Sequence, residues 1–245
     1  MKNQVRILFA VVLCLFICQT NVEGQIFKKA LNKVKGAVGS VVGSKTGGNL
    51  EVPKGPAKPA APDVKNAVSE VRAYTGLTKE AFQAKIKSQG YVAGSDDAAM
   101  GLTGEVYKSK ATGYYLAVSY GTRGGATFVR DIYKAKNTKN PVLPTIKKTF
   151  LDYGKQCTDL KAEFDNGALQ GVAGSKANVK AKNSADWTAK FLPAFDKFIS
   201  AKEMGMADQT YREACYTYMI TFSYALGSAN VVVRVIDLTL EGQEG

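Results

Sequence analysis

Residues 26–43 separate into an apolar face and a basic face when they are wound as a helix. At about 100° per residue, the apolar side chains fall within roughly 160° of arc. The apolar face includes Ile26, Phe27, Leu31, Val34, Val38, Val41 and Val42. The opposite face includes Lys28, Lys29, Lys33 and Lys35. This pattern predicts a basic amphipathic helix over residues 25–44, of the kind that lies on anionic membrane surfaces.

The pattern from residue 63 to residue 245 changes repeatedly between helical and strand-like periods. Helical spacing of apolar residues predicts helices at 64–74, 79–89, 145–156 and 185–202. Strand-like runs lie at 105–108, 113–120, 126–134, 160–164, 211–225 and 230–240. A Gly-rich loop is expected at 167–174. The order predicts an α+β domain, with helices packed on one face of a mostly antiparallel sheet. It also allows a loose duplication of a helix-plus-hairpin unit.

Several local signals refine these elements. Thr78 and Ser184 precede helical patterns and are expected to act as N-caps, and Gly90 is expected to end the second helix. Pro193 is expected to break the helix at 185–202 into two parts. The alternating aromatic and aliphatic side chains between Tyr216 and Tyr224 are expected to form a core-facing stripe of their strand.

The first 24 residues have the organisation of a signal peptide. Lys2 and Arg6 form a positive start, and residues 7–18 are an unbroken apolar run. That run is too short to span a bilayer, which takes about 20 residues. Val22 and Gly24 are small enough for the cleavage positions, so the mature chain is expected to begin after residue 24.

Residues 45–62 form a Gly-containing turn followed by a Pro-rich segment. Prolines recur at every third position, at residues 53, 56, 59 and 62. This spacing matches the three residues per turn of polyproline II and predicts that the eleven residues 52–62 form a semi-rigid spacer of roughly 34 Å, at about 3.1 Å per residue. An ordinary disordered linker is the alternative. The segment at 45–62 separates the basic helix from an α+β globular domain at residues 63–245.

Charge and residue usage exclude several chemistries. The chain carries a net charge of +12 and contains no histidine, which removes Ser–His and Cys–His nucleophile systems and the commonest zinc ligand. No catalytic residue, metal site or cofactor is predicted, and the chain is interpreted as non-enzymatic. Pairs of carboxylates remain an open route to hydrolysis, because sequence spacing does not reveal which acids share a cleft.

Two kinds of side chain are candidates for other roles. Cys157 and Cys215 are the two cysteines beyond the predicted leader, and they either form a disulfide outside the cytoplasm or remain free thiols. Tyr107 and Tyr115, on predicted strands, together with Arg123 in a predicted turn, are candidates for a platform that binds sugars or peptides.

The N-terminal arrangement resembles a group of known sequences. A signal peptide, then Gln25 and the lysine-rich IFKKALNKVKGAV segment, then a small α+β domain is similar to uncharacterised secreted or periplasmic proteins of Bacteroidetes-type bacteria. The resemblance rests on about 40 residues. It implies export from the cytoplasm, and it implies no activity and no functional residue of the domain.

These observations together predict an exported protein, secreted or periplasmic, that is peripherally attached to a membrane. Its expected partners are an anionic membrane surface and an envelope or extracellular protein or glycan, with no nucleic acid. The alternatives are a soluble secreted factor, or a carboxylate-dependent hydrolase, in which the N-terminal helix packs on the domain.

Overall fold

The computed structural model describes residues 66–94, 104–172 and 176–240. The chain divides into two units, Met1–Ala60 and Ala61–Gly245, and every described residue belongs to the second. The predicted signal peptide, basic amphipathic helix and Pro-rich spacer lie outside the described residues, so they stay predictions.

The second unit contains helices and a large antiparallel sheet, as the sequence predicts. The helices are α1 (Ala67–Arg72), α2 (Lys79–Ser88), α3 (Leu143–Asp159), α4 (Ser184–Asp186) and α5 (Leu192–Ala201). The first four strands are β1 (Tyr91–Ala93), β2 (Glu105–Ser109), β3 (Tyr115–Arg123) and β4 (Ala126–Lys139). The others are β5 (Glu163–Gly171), β6 (Val179–Ala181), β7 (Gly205–Glu213), β8 (Tyr216–Ala225) and β9 (Ser228–Asp237).

The nine described strands form one sheet in the order β1-β2-β3-β4-β9-β8-β7-β5-β6, and each neighbouring pair is antiparallel. Each half of the sheet follows a helix and ends on a hairpin, β3–β4 in the first half and β8–β9 in the second. The last strands of the two halves, β4 and β9, pair at the centre of the sheet. The order of elements is therefore similar in the two halves.

The core lies between the sheet and its helices. Along β8, Tyr218, Ile220 and Phe222 are fully buried, which confirms the predicted core-facing stripe at its centre. The alternate residues Thr217 and Met219 are only partly buried on the opposite face. Phe82 and Ile86 from α2 and Phe150 from α3 join the same core. Burial of each such side chain contributes about 1.5–3 kcal/mol, so this apolar face dictates the position of the helices.

Local signals account for most helix ends. The Thr78 side chain accepts a hydrogen bond from the Ala81 N–H, so Thr78 caps α2 as predicted. The prediction for Ser184 was wrong by one residue: Asn183 is the cap and accepts from the Asp186 N–H. The predicted helix at 185–202 is divided as expected, and Pro193 lies in the first turn of its second part, α5, where a missing N–H is tolerated. A π-helical turn, Trp187–Phe191, joins α4 to α5.

Two strand predictions need correction. The Gly-rich segment at 167–174 is largely strand, because β5 runs from Glu163 to Gly171 and pairs with both β6 and β7. Gly167 lies there because the Trp187 ring packs over it: a Cβ on Gly167 would lie 2.6 Å from a Trp187 ring carbon. The predicted single strand at 211–225 is two strands, since the chain turns at residues 214 and 215 between β7 and β8.

Candidate functional site

Three connections meet at one end of the domain and enclose an open groove of about 550 Å³. They are the β4–α3 connection, the C-terminal end of α5 and the β8–β9 turn. The groove is lined by Asn140, Pro141, Val142, Leu143, Pro144, Ile199, Ser200, Lys202, Tyr224 and Gly227. Its volume lies within the range of small-molecule and cofactor sites. We refer to these residues, together with Lys139 and Leu226, as the corner.

The backbone of the corner adopts uncommon conformations. Asn140, Lys202 and Leu226 have φ values of 47°, 53° and 50°, in the left-handed region. The Asn140 N–H donates to the Gly227 carbonyl over 2.7 Å, which joins the β4–α3 connection to the β8–β9 turn. Non-glycine residues in this region cost about 1–2 kcal/mol, and such residues cluster at functional sites more often than elsewhere.

Leu226 is the least expected of the three. Ala225 pairs with Ser228, so Leu226 and Gly227 form a two-residue hairpin turn with φ values of 50° and 76°. Turns of this kind favour Asn or Gly at the first position, because a branched apolar side chain is disfavoured at positive φ. An apolar side chain stands here at a position where the turn itself favours a polar or small residue.

Exposed apolar side chains concentrate at the corner. Among the described residues, the exposed large apolar side chains are Val92, Val142 and Leu226, which are 48%, 68% and 54% exposed. Val142 and Leu226 stand on the two connections that the Asn140–Gly227 hydrogen bond joins. Val92 lies on β1 at an edge of the sheet. Exposed apolar residues that the fold brings to one part of the surface are more typical of interaction sites than scattered ones.

The charge of the corner is positive. Lys202 is the only charged residue among the ten described residues that line the groove. Lys139, the last residue of β4, is exposed and pairs with Ser228 in the sheet. Further along α3, Lys147 forms an ion pair with Asp196 of α5, which neutralises both. The corner therefore presents lysines beside apolar side chains, a combination suited to an anionic amphiphilic surface.

The tyrosines predicted to form a platform lie on opposite faces of the sheet. Tyr107 pairs with Leu116 across β2 and β3, so Tyr115 points to the other side. Tyr107 packs edge-on against Phe82 of α2 at 5.8 Å between ring centroids. Tyr115 is buried, and its hydroxyl has no hydrogen-bond partner among the described residues. Arg123 is exposed at the end of β3. The three residues therefore do not form one platform, because Tyr107 lies on the face of Leu116 and Tyr115, the neighbour of Leu116 in β3, lies on the opposite face.

Tyr107 instead belongs to a polar cluster around Glu105. The hydroxyls of Tyr107 and Tyr120 donate to Glu105 Oε2 over 2.6 and 2.9 Å, and Lys79 forms an ion pair with the same carboxylate. Burial raises the pKa of Glu105, but these hydrogen bonds outweigh it and lower the pKa to about 2. A carboxylate with so many donors stays ionised and anchors α2 to the sheet.

Of the two alternatives for Cys157 and Cys215, a disulfide or two free thiols, the structure has the free thiols. Cys157 is buried in α3 and Cys215 is exposed in the β7–β8 turn, and both thiols are free. Burial raises the pKa of the Cys157 thiol to about 12, which makes it unreactive in the folded protein.

In the part of the chain that the structure describes, the carboxyl group of Asp208 on β7 is the one with a pKa moved toward neutrality. Burial raises its pKa to about 6, and a 2.7 Å hydrogen bond from the Thr221 hydroxyl opposes this shift. Asp131 on β4, in contrast, is held in an ion pair by Arg234 of β9. Among the described residues, no three acidic or cysteine side chains are grouped to hold a metal ion. None of the helices described is long and apolar enough to cross a membrane.

Comparison with family models, with curated proteins and with solved structures gave no significant match to the chain. The resemblance of the N-terminal region to secreted or periplasmic proteins therefore stays a prediction.

The sequence analysis missed the corner. Its parts come from residues 139–144, 199–202 and 224–227, which are brought together only by the fold. Two local features of the sequence could have pointed to it. Leu226 is an apolar residue beside Gly227, at a predicted turn between two strands, and Val142 is an apolar residue between Pro141 and Pro144. Exposed apolar residues in turns are informative because turns favour polar ones.

Proposed function

We propose that this chain is an exported, non-enzymatic protein that attaches peripherally to an anionic membrane surface through the basic amphipathic helix of residues 25–44. The Pro-rich spacer connects that helix to an α+β binding domain, which makes its contacts through the corner. The observation that carries the proposal is the separation of residues 26–43 into an apolar and a lysine-bearing face.

The energetics of the basic helix favour binding over a stable free helix. Gly36, Gly39 and Gly43 each cost about 1 kcal/mol relative to alanine in a helix. Four lysines near an anionic surface each contribute about 1 kcal/mol, and insertion of the apolar face adds to this. Membrane binding therefore supplies the free energy that orders the segment, and the attachment is reversible and sensitive to salt.

The composition of the corner supports a role in binding. Apolar side chains at its rim, lysines beside them and a groove of about 550 Å³ match the features of an interaction surface. The partners expected to bind at the corner are an envelope or extracellular protein, a glycan or the membrane itself.

The experiment uses residues 25–245 with four lysines of the helix reversed, as Lys28→Glu, Lys29→Glu, Lys33→Glu and Lys35→Glu. The matched control reverses four exposed lysines of the domain, at positions 87, 108, 161 and 180. Cosedimentation with vesicles of equimolar phosphatidylglycerol and phosphatidylcholine is expected to be lost in the first variant and retained in the second. Equal binding by both variants would contradict attachment through the helix.

The melting temperature of a chain that lacks residues 25–50, compared with that of residues 25–245, tests the rival proposal that the helix packs on the domain. A helix that packs there buries its apolar face on the domain, so removing it lowers the melting temperature without vesicles. A membrane-binding helix leaves the melting temperature of the domain unchanged.

A further inference from the structure

We infer that the corner is a second membrane-binding site, in which Val142 and Leu226 insert into the interface of an anionic bilayer while Lys139 and Lys202 contact its headgroups. This inference rests on the proposed function, because it names the occupant of the corner in a protein held at that surface. It assigns to the folded domain a membrane contact that is separate from the basic helix.

The exposure of the apolar residues favours a bilayer over a small ligand. A site for a small molecule encloses it between apolar walls. Val142 and Leu226 are instead 68% and 54% exposed, so an enclosed ligand would leave much of their apolar surface in water. They lie on two connections that a 2.7 Å hydrogen bond from the Asn140 N–H to the Gly227 carbonyl joins, so both belong to the same part of the surface.

The charges around these side chains favour an anionic surface. Lys202 is the one charged residue in the described lining of the groove, and Lys139 is exposed beside Asn140. The neighbouring carboxylate of Asp196 is occupied by Lys147. Lysines at the rim of an apolar protrusion extend toward headgroup phosphates while the apolar side chains enter the acyl region.

The conformation of Leu226 shows that folding does not require a leucine there. Its φ of 50° favours Asn, and its side chain is exposed, so it contributes little to the core. An asparagine at this position relieves backbone strain and removes the apolar insertion. Leu226→Asn is therefore expected to raise the stability of the domain and to lower its membrane affinity. Because the two change in opposite directions, a loss of binding cannot be attributed to unfolding.

The first experiment measures the partition of residues 25–245 onto vesicles of equimolar phosphatidylglycerol and phosphatidylcholine. Leu226→Asn is expected to weaken partition about tenfold, as expected for loss of one inserted apolar side chain, while its melting temperature stays equal or rises. Val92→Asn removes the exposed apolar side chain of β1 and serves as the matched control with unchanged partition. Equal partition by Leu226→Asn and the unchanged chain would overturn the inference.

The second experiment locates the insertion directly. Within residues 25–245, Cys215→Ser leaves Cys157 as the one remaining cysteine, and it is buried, so an environment-sensitive thiol dye can be placed at Leu226→Cys, Val142→Cys or Val92→Cys. Addition of the anionic vesicles is expected to shift the emission to the blue at positions 226 and 142 and to leave it unchanged at position 92.

The outcomes of the second experiment distinguish the two proposals. If the chain binds the vesicles and the dyes at 226 and 142 remain in water, attachment through the helix survives and the inference fails. If the unlabelled chain does not bind at all, the proposed function fails, and the inference fails with it. A blue shift that grows with protein concentration without vesicles would assign the corner to a second copy of this chain and overturn the inference.

Discussion

Gly154 of α3 lies directly against Gln209 of β7, and a Cβ on Gly154 would lie 2.8 Å from Gln209 Cδ. The Gln209 amide nitrogen donates to the Phe150 carbonyl over 2.5 Å, one turn earlier in the same helix. The Tyr211 hydroxyl donates to the Gln209 amide oxygen over 2.9 Å. A buried polar network therefore fixes the central helix on the sheet, and it requires the absence of a side chain at position 154.

Gly154→Ala is expected to destabilise the domain although alanine is the better helix former. The gain in helix propensity is about 1 kcal/mol, but the methyl group displaces Gln209 and Tyr211 and breaks buried hydrogen bonds, each with a cost of about 1–3 kcal/mol. We expect a net loss of about 2 kcal/mol in the free energy of unfolding, measured by urea denaturation.

Two variants check this explanation. Lys155→Ala, on the exposed side of the same helix, is expected to change stability by less than about 0.5 kcal/mol. Adding Gln209→Ala to Gly154→Ala is expected to make the two substitutions less costly together than their separate effects predict. Strict additivity would show that the two residues are not coupled.

The raised pKa of Asp208 gives the domain a specific dependence on pH. Its pKa is about 6 in the folded protein against an ordinary value of 3.8. The folded state therefore binds the proton more tightly, so the stability that this group contributes is full below about pH 4 and is lost as the pH rises through 6. Asp208→Asn keeps an oxygen that accepts from Thr221 and removes the charge of a half-buried residue.

We expect Asp208→Asn to be about 2 kcal/mol more stable than the unchanged protein at pH 7.5, with the difference shrinking toward zero at about pH 4. Urea denaturation at several pH values measures this difference. Asp159→Asn, which alters an exposed carboxylate at the end of α3, serves as the control. A stability difference for Asp208→Asn that is the same at both ends of this pH range would rule out titration of this group as its cause.

The free cysteines predict a simple pattern of reactivity. In the folded protein, a thiol reagent is expected to modify the exposed Cys215 rapidly and the buried Cys157 only after unfolding. A reducing agent is expected to leave the melting temperature unchanged. Mass spectrometry of residues 25–245 measures the modification, and thermal denaturation with and without the reducing agent measures the melting temperature. Failure of Cys215 to react, with a mass two hydrogens lower than the reduced chain, would show that a disulfide forms after all.

The sequence predicted the elements whose signals are local. Thr78 and Gly90 mark the ends of α2, and the alternation from Tyr218 to Phe222 identifies the buried face of β8. The two merged strands were missed because residues 214 and 215, an alanine and a cysteine, carry no turn signal. β5 was missed because Gly167 and Gly171 suggest a loop, whereas Gly167 is required by the Trp187 ring packed against it.

The candidate site was less accessible to sequence reasoning than the fold. Tyr107 and Tyr115 are close in sequence and were expected to share a surface, but the register of β2 with β3 places them on opposite faces. The corner depends on Asn140 meeting Gly227 across 87 positions of the chain. A local sequence pattern does not predict this long-range contact, because the contact follows from the pairing of β4 with β9.

Membrane attachment through the basic helix can be measured by flotation of residues 25–245. The protein is mixed with vesicles of equimolar phosphatidylglycerol and phosphatidylcholine, or with vesicles of phosphatidylcholine alone. We expect the protein to float with the anionic vesicles, to remain at the bottom with the neutral ones and to be released by high salt. Protein that stays at the bottom of both gradients would show that the helix does not attach it to anionic membranes, and the domain would then be interpreted as part of a soluble secreted factor.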